Sequence, residues 1–354
     1  MAPRGAISGV DPDALDAWFG EHIPGAQPPL EFEVIAGGHS NITYRVRDSA
    51  GHSFVLRRPP LGHVLATAHD MGREHRIISA VGRSAVPVAP ALGLCTEDSV
   101  NGAPFYVMAF VEGVVLAKAE DVEAGLPDQR ARQRAGEDIA DILADLHRVD
   151  VDSIGLGELA RREGFLDRQL KRWRTQWESS RTSELPVMDE AYELLLAAKP
   201  EQRYTGVVHG DYRMGNFLVR PNGQIAAVLD WELCTLGDVL ADVGYLLNDW
   251  VQPGEPSAAF NPPPTTAGGF PTREAFLTRY AERSGFDVSH VEYYRAFSYW
   301  RSAAIAEGVK RRYMEGVMVD ETFPVEFYDQ RVADLARRSV DCIKALNHLQ
   351  RGGP

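Results

Sequence analysis

The chain has 354 residues, of which 44% are hydrophobic and 25% are charged, proportions that suit a globular, two-lobed enzyme with a continuous core. The formal net charge of −13 argues against sequence-independent nucleic-acid binding, which depends on clustered Lys and Arg. A nucleotide site stays compatible with this charge, because it needs only local positive potential.

The sequence also predicts no membrane partner. No apolar run is long enough to cross a bilayer, and the first residues lack the apolar core of a signal peptide. The three cysteines, Cys95, Cys234 and Cys342, are odd in number and show no metal-ligand spacing. We therefore expect a cytoplasmic protein.

The first part of the chain reads as a small β-rich unit with one helix. Residues 32–58 contain three extended segments separated by turn residues, and residues 68–81 have helical character. A further strand pair is predicted over residues 88–95 and 104–111. We assign residues 1–110 to an N-terminal nucleotide-binding lobe.

After Gly113 the pattern becomes mainly helical, starting with apolar residues at helical spacing over 128–149. A strand–turn–strand segment over 216–230 interrupts this helical part, and residues 252–271 form a Pro/Gly-rich loop. Residues 111–354 are assigned to a C-terminal catalytic and acceptor-binding lobe, so the fold class is α+β. Further helices are predicted around residues 165–179, 188–198, 273–284, 289–312 and 325–348.

The segment VVHGDYRMGNFLVRPNGQIAAVLDWE carries the chemistry of the chain. Phosphoryl transfer needs a carboxylate that orients the attacking hydroxyl group and oxygen ligands that hold magnesium on the phosphates. Asp211 can orient the hydroxyl group, and Asn216 and Asp230 can supply the hard oxygen ligands that Mg²⁺ prefers. A hairpin between Asn216 and Asp230 would bring its two ends side by side.

This pattern resembles the aminoglycoside phosphotransferase and choline kinase branch of the protein-kinase-like fold. The family pattern is His-Gly-Asp, four residues, Asn, and then a hydrophobic strand that ends in Asp, as at Asp211, Asn216 and Asp230. The resemblance implies a two-lobed small-molecule kinase that uses ATP and Mg²⁺. It further implies that Arg213 touches the transferred phosphate and that His209 supports the loop.

The resemblance extends to the nucleotide-binding lobe. The Gly-rich loop between the first two strands would cover the phosphates with Gly37, Gly38, Ser40 and Asn41. Arg57 stands where the family normally has a phosphate-binding lysine, with Glu74 as its carboxylate partner and Arg58 as an alternative phosphate contact. Backbone groups of Ala109 and Val111 would hydrogen-bond adenine. In the segment after Asp230, Asp242 would support the catalytic loop and Asp238 would cap a helix.

The wider pattern, including GGHSNITYRV, FVLRRPP and LDWELCTLGDVLADVGYLL, is similar to kinase domains fused to acyl-CoA dehydrogenases. The implied partners are a nucleoside triphosphate and a small hydroxylated acceptor, a hydroxy acid or a hydroxyacyl-CoA. Two alternatives stay open: an aminoglycoside antibiotic kinase, and a catalytically weak nucleotide-binding regulatory module, which the arginine at position 57 favours. The sequence leaves open the choice between ATP and GTP and the oligomeric state.

One basic segment, residues 161–174, stands out in this acidic chain. It contains six Lys and Arg residues against two carboxylates, and Trp173 and Trp177 lie one turn apart. Anionic acceptors require charge-assisted hydrogen bonds, so one hypothesis is that this segment admits an anionic acceptor. The alternative is a solvated helix face with its tryptophans in the core.

Overall fold

The computed structural model of the chain describes residues 7–36, 41–61, 70–257, 259, 261–316 and 325–351. The chain divides into two compact units. Unit 1 contains the residues up to Gly113 together with the segment Ala226–Glu232, and unit 2 contains Val114–Ile225 and the chain from Leu233 onward. Among the described residues, no helix has the length and apolar character that a membrane span requires.

Unit 1 is built on a five-stranded antiparallel sheet in the order β1-β2-β3-β5-β4. Consecutive strands pair as neighbours except where β5 lies between β3 and β4. Its strands are β1 (Glu31–Ala36), β2 (Ile42–Arg47), β3 (Ser53–Arg58), β4 (Ala91–Cys95) and β5 (Phe105–Ala109).

Three helices complete unit 1: α1 (Pro12–His22), α2 (Met71–Val81) and the short α3 (Asp98–Asn101). Asp11 and Asp70 cap α1 and α2 by accepting hydrogen bonds from backbone N–H groups in the first turn. One face of α1 packs on the sheet, and the resulting core includes Trp18, Phe19, Tyr44, Phe54 and Phe105.

Unit 2 is mainly helical. Asp128 caps α5 and Thr272 caps α9, each with a side-chain oxygen that accepts a backbone N–H. The longest helices, α10 and α11, pack against each other, and α10 also packs on α8. The helices are α4 (Ala119–Gly125), α5 (Gln129–His147), α6 (Phe165–Ser180), α7 (Pro186–Ala197), α8 (Leu240–Asp249), α9 (Arg273–Ser284), α10 (Val291–Met314) and α11 (Val325–Arg351).

Short strands position the loops of unit 2. The strand β6 (Val114–Val115) pairs with β8 (Phe217–Val219), and β7 (Thr205–Val208) pairs with β10 (Thr235–Asp238), both antiparallel. After β8, a turn closed by hydrogen bonds between Arg220, Gly223 and Gln224 leads into β9 (Ile225–Val228). The chain therefore reverses direction between Asn216 and Asp230, as the Pro-Asn-Gly turn predicts.

Most of the predicted elements are present. The structure contains the three predicted strands over 32–58, the helix before Val81 and the predicted helices of unit 2. The sequence patterns missed the helices α1, α3 and α4 and the strands β6, β7 and β10. These three strands have two to four residues each, too few to show a period. All three cysteines are buried free thiols.

Candidate functional site

The loop that follows β7 carries His209, Gly210 and Asp211. Gly210 has a φ of +85°, and a Cβ atom at this position would lie 2.8 Å from the carbonyl oxygen of Leu233. Only glycine combines this backbone conformation with so close an approach. The Nδ1 of buried His209 accepts the backbone N–H of Asp211 at 3.2 Å, so His209 supports the loop.

Asp242, in the first turn of α8, binds the backbone of the same loop. Its carboxylate accepts the backbone N–H of His209 at 2.6 Å and that of Gly210 at 2.9 Å. Burial favours the neutral form, but hydrogen bonds from His147 and the backbone lower the pKa of Asp242 overall. Asp242 therefore supports the loop as predicted.

Buried His147 extends this network. Burial lowers its pKa, its Nε2 lies 3.4 Å from a carboxylate oxygen of Asp242, and its Nδ1 lies 2.7 Å from the hydroxyl oxygen of Tyr280. The loop conformation is thus held by a chain of buried polar groups.

The Asp211 carboxylate is held by side chains on both of its oxygens. Oδ1 accepts the hydroxyl of Tyr245 at 2.6 Å, and Oδ2 accepts the Nδ2 of Asn216 at 2.7 Å. The Nε of Arg213 lies 3.3 Å from Oδ2. A carboxylate bound in this way has a fixed orientation, which a group that positions a hydroxyl for attack requires.

Arg213 lies in a strongly charged environment. Burial works against its charged form, but the negative charge of Asp211 raises the pKa of Arg213 overall. Arg301, from α10, donates to the Gly210 carbonyl at 3.0 Å, and its guanidinium group lies 4.8 Å from the Tyr245 ring centre. Two cations, Arg213 and Arg301, therefore contact the loop.

Unit 1 contains a second polar cluster around Arg57. Its Nη2 lies 2.7 Å from Asp230 Oδ1 and its Nε 3.2 Å from Glu74 Oε1. Glu232 lies 3.5 Å from Nη2, and buried Glu74 also accepts the hydroxyl of Tyr106 at 3.0 Å. Despite the cost of burial, the neighbouring carboxylates raise the pKa of Arg57. The expected ion pair between Arg57 and Glu74 is therefore present.

Asp230 has a backbone conformation that few residues adopt. Its φ of +63° lies in the left-handed region, where non-glycine residues carry a conformational cost. It directly follows Leu229 after β9, and the ion pair with Arg57 holds its Oδ1. Such strain concentrates at functional sites, so the geometry marks Asp230 independently of the motif.

Of the residues expected to cover the phosphates, the structure describes Asn41. Gly37, Gly38 and Ser40 lie outside the described residues. The buried Asn41 side chain donates to Glu74 at 3.3 Å and to Glu232 at 3.4 Å.

At the end of β5, the N–H of Ala109 already donates to the Pro90 carbonyl. An adenine contact of Ala109 would therefore use its carbonyl group. Arg58 is buried and donates to the carbonyl oxygens of Gly9 and Asn101, so it supports unit 1, and the alternative phosphate contact at Arg58 is disfavoured.

The donor chemistry fits a magnesium ion. Asn216 uses its Nδ2 toward Asp211, so its Oδ1 is the atom available as a ligand, and Asp230 retains Oδ2. Within the described part of the chain, no group of three or more His, Cys, Asp and Glu side chains is arranged to hold a metal. Few protein oxygens and several waters are typical of magnesium in phosphoryl-transfer enzymes.

Sequence reasoning missed Tyr245, Asp249 and Arg301. One signal was available: Asp242, Tyr245 and Asp249 follow each other at helical spacing in a segment that is otherwise apolar, so they share one face of α8. Arg301 had no comparable signal, because α10 joins the catalytic loop only through tertiary packing.

The basic segment 161–174 is largely engaged in local contacts. Arg162 pairs with Asp152, Arg168 donates to backbone carbonyls of its own segment, and Arg174 pairs with Glu178 and Asp189. Trp177 is buried, as expected for a core residue. For three of the six cations, these contacts favour the alternative that the segment is a solvated helix face with no acceptor bound to it.

Comparison with known proteins establishes the class. The model of the phosphotransferase enzyme family matches residues 31–285. A crystal structure from Ralstonia eutropha JMP134, provisionally named an aminoglycoside phosphotransferase, is 31% identical, with a TM-score of 0.80 over 95% of this chain and 98% of that one. The chain therefore belongs to the phosphotransferase enzyme family.

A mouse protein, acyl-CoA dehydrogenase family member 10, is 33% identical over 315 residues, which are 87% of this chain but only 29% of the mouse protein. The chain thus spans less than a third of this relative. Aminoglycoside phosphotransferase APH(4)-Ia, solved with ADP and hygromycin B, shares the fold with a TM-score of 0.60 at 15% identity, over 94% of this chain and 97% of that one. The predicted family branch, the α+β two-lobed fold and membership of a phosphotransferase family are confirmed.

Proposed function

We propose that this phosphotransferase moves the γ-phosphoryl group of ATP, with Mg²⁺, onto a hydroxyl group of a hydroxy acid or a hydroxyacyl-CoA. The observation that carries the proposal is the Asp211 carboxylate, held on one oxygen by Tyr245 and on the other by Asn216. This arrangement suits a group that orients a hydroxyl and accepts its proton.

In the proposed reaction, the acceptor oxygen forms a bond to the γ-phosphorus while the bond from that phosphorus to the β–γ bridging oxygen breaks. ADP leaves, and the proton of the hydroxyl group passes to Asp211. Arg213 stabilises the negative charge on the transferred group. Magnesium, bound by Asn216 and Asp230, would neutralise phosphate charge.

The nucleotide contacts of the proposal are assigned residue by residue. Arg57, oriented by Glu74, would contact the phosphates, and the backbone of Gly37, Gly38, Ser40 and Asn41 would cover them. The Ala109 carbonyl and the Val111 backbone would contact adenine. The assignment of a hydroxyacyl acceptor is supported by the similarity to the mouse acyl-CoA dehydrogenase family member.

Replacing the proposed base tests the mechanism. We expect Asp211→Asn to lower kcat by roughly two to four powers of ten, the usual worth of a general base, with little change in nucleotide affinity. Asp189→Asn is the matched control, because Asp189 is a half-exposed carboxylate in unit 2 that pairs with Arg174. Turnover of Asp211→Asn at the wild-type level would remove this residue from the mechanism.

An acceptor panel separates the proposed function from its rivals. Hydroxy acids, hydroxyacyl-CoAs, aminoglycosides and choline would be assayed with magnesium and ATP, alongside ATP hydrolysis without an acceptor. The similarity to the Ralstonia protein favours the aminoglycoside alternative. Phosphorylation of aminoglycosides alone would establish that alternative, and nucleotide binding without any turnover would indicate a regulatory module.

A further inference from the structure

Beside the catalytic loop, unit 2 contains a cavity of about 100 Å³. Tyr245 forms part of its wall, and the hydroxyl of the same residue lies 2.6 Å from Asp211. Since a liquid water occupies about 30 Å³, the volume accommodates a small polar head group. The polar lining includes Tyr245, Asn248, Asp249, Ser302, Arg331 and Arg338.

Two arginines of α11 face this cavity with unused hydrogen-bonding capacity. The Nε of Arg331 is buried and has no hydrogen-bond acceptor among the described residues. Within that same part of the chain, no carboxylate lies within ion-pair distance of Arg331 or Arg338, and Arg338 donates only to the Pro256 carbonyl. Buried donors without acceptors are costly and rare in folded proteins, so a bound acceptor group is expected here.

The charges of the lining favour an anion. Two guanidinium groups face one carboxylate, that of Asp249, so the cavity is net positive although the chain carries −13. Burial raises the pKa of Asp249, and the positive charges of Arg213 and Arg331 oppose this shift. A polycationic acceptor would need several carboxylates instead.

We propose that this cavity is the anion subsite of the acceptor site, where Arg331 and Arg338 bind a carboxylate or phosphate group of the acceptor whose hydroxyl lies at Asp211. The inference rests on the proposed function and specifies its acceptor as a hydroxylated anion. The anion has two possible sources, the carboxylate of a free hydroxy acid or a phosphate of a CoA thioester.

The test compares three acceptors that share one hydroxylated chain: the free hydroxy acid, its uncharged primary amide and its CoA thioester. Arg331→Gln should raise KM for at least one charged acceptor by roughly tenfold or more, because a charge-assisted hydrogen bond is lost. The KM for ATP and the kcat/KM for the amide should stay unchanged. Arg331→Lys should restore part of the loss.

Arg337→Gln is the matched control, because Arg337 lies on the same helix with a 62% exposed side chain and pairs locally with Asp334. An effect of Arg331→Gln confined to the acid identifies a carboxylate in the subsite, and one confined to the thioester identifies a phosphate. Arg338→Gln should shift the same KM. Unchanged KM values for both charged acceptors in both variants would overturn the proposal.

Calorimetric titration of the hydroxy acid, with no nucleotide present, separates this inference from the proposed function. Arg331-dependent binding without phosphorylation of any acceptor would leave the subsite standing and refute the kinase assignment. Phosphorylation that requires Asp211 but does not respond to Arg331 or Arg338 would refute the subsite alone.

Discussion

At the scale of single residues, the proposed mechanism depends on two charged groups, Asp211 and Arg57, and on the neighbours that orient them. Asp211 is held by one tyrosine hydroxyl and one amide, and Arg57 lies between Glu74 and Asp230. In both cases a charged group is oriented by neighbours that come from distant parts of the sequence. Substitution of these neighbours therefore tests the mechanism, as substitution of Asp211 and Arg57 does.

Tyr245 is expected to act as a positioning residue for Asp211. Tyr245→Phe removes the hydroxyl that donates to Oδ1 but keeps the ring beneath Arg301. We expect kcat to fall by roughly tenfold, since one hydrogen bond to a charged group is lost, while KM for ATP stays constant. The measurement is steady-state kinetics with both substrates varied.

Tyr192→Phe is the control for this change, because Tyr192 stacks on Trp300 in unit 2, and among the described residues no hydrogen bond joins its hydroxyl to Asp211. The kcat of each variant is normalised to its folded fraction. A loss of stability alone would lower the folded fraction but leave this normalised kcat unchanged. Unchanged kcat in Tyr245→Phe would show that Asn216 alone suffices to orient Asp211.

Substitutions at Arg57 test whether this arginine performs the phosphate-binding role of the usual lysine of the family. Arg57→Ala should lower kcat/KM for ATP by roughly one to two powers of ten, because charge-assisted hydrogen bonds to phosphate are lost. Arg57→Lys should retain more activity, since it keeps the charge beside Glu74. The KM for the acceptor should change much less in both variants.

Removal of Arg57 also leaves Glu74 and Asp230 without their countercharge, so the thermal midpoint of each variant must be measured alongside the kinetics. A loss of kcat/KM for ATP that equals the loss for the acceptor would argue against a phosphate contact.

At the scale of elements, α8 carries the supporting groups of the site on one face. Asp242 holds the loop, Tyr245 holds Asp211 and Asp249 lies in the wall of the adjoining cavity. The strand β10 leads directly into this helix, and its last residue, Asp238, accepts the Tyr294 hydroxyl of α10 at 2.6 Å and the N–H of Leu240 at 3.3 Å. Asp238 therefore joins the start of α8 to α10, but the N-cap residue of α8 is Val239, so the prediction that Asp238 caps a helix was wrong.

Asp238 should make stability depend on pH. Burial raises its pKa from 3.8 to about 6, although the hydrogen bond from Tyr294 opposes the shift. The folded state thus binds the proton more tightly than the unfolded state, so this group contributes stability below pH 4 that is lost as the pH rises to about 6. The full effect is about 3 kcal/mol, at 1.36 kcal/mol for each pKa unit.

Urea unfolding at pH 4 and pH 7 measures this effect. Relative to the wild type, Asp238→Asn should gain about 2.4 kcal/mol between the two pH values, because its amide does not ionise and the unfolded carboxyl of the wild type is already partly ionised at pH 4. The comparison cancels the background of other carboxylates. An equal difference between the two proteins at both pH values would contradict the raised pKa.

At the scale of the whole molecule, unit 1 is assembled from two segments that are far apart in sequence. The segment Ala226–Glu232 belongs to this unit, and it brings Asp230 to Arg57, 173 residues away. The backbone N–H of Val228 donates to the Pro87 carbonyl and fixes the segment there. A fragment that ends at Gly113 would therefore lack part of the unit.

Nucleotide binding should stabilise the intact chain. A non-hydrolysable ATP analogue with magnesium, at about one hundred times its dissociation constant, should add about 2.7 kcal/mol to the free energy of unfolding. Asp230→Asn should remove most of this gain, and chelation of magnesium should do the same in the wild type. Differential scanning fluorimetry measures the shift, with Asp189→Asn as the control.

An equal shift of the midpoint in Asp230→Asn and the wild type would exclude Asp230 as a magnesium ligand. An equal shift with and without chelator would show that the nucleotide binds without the metal.

The sequence by itself determined the fold class and most strands and helices, and it singled out Asp211, Asn216 and Asp230 as candidates, because these depend on local periodicity and on the spacing of a short motif. Only the tertiary structure decided which groups surround them. Tyr245, Arg301 and Arg331 reach the catalytic loop or its cavity from helices far along the chain, and contacts at such separation leave no local period. The same reason explains why Arg58 was an open alternative to Arg57 in the sequence, whereas burial against backbone carbonyls assigns it to the scaffold.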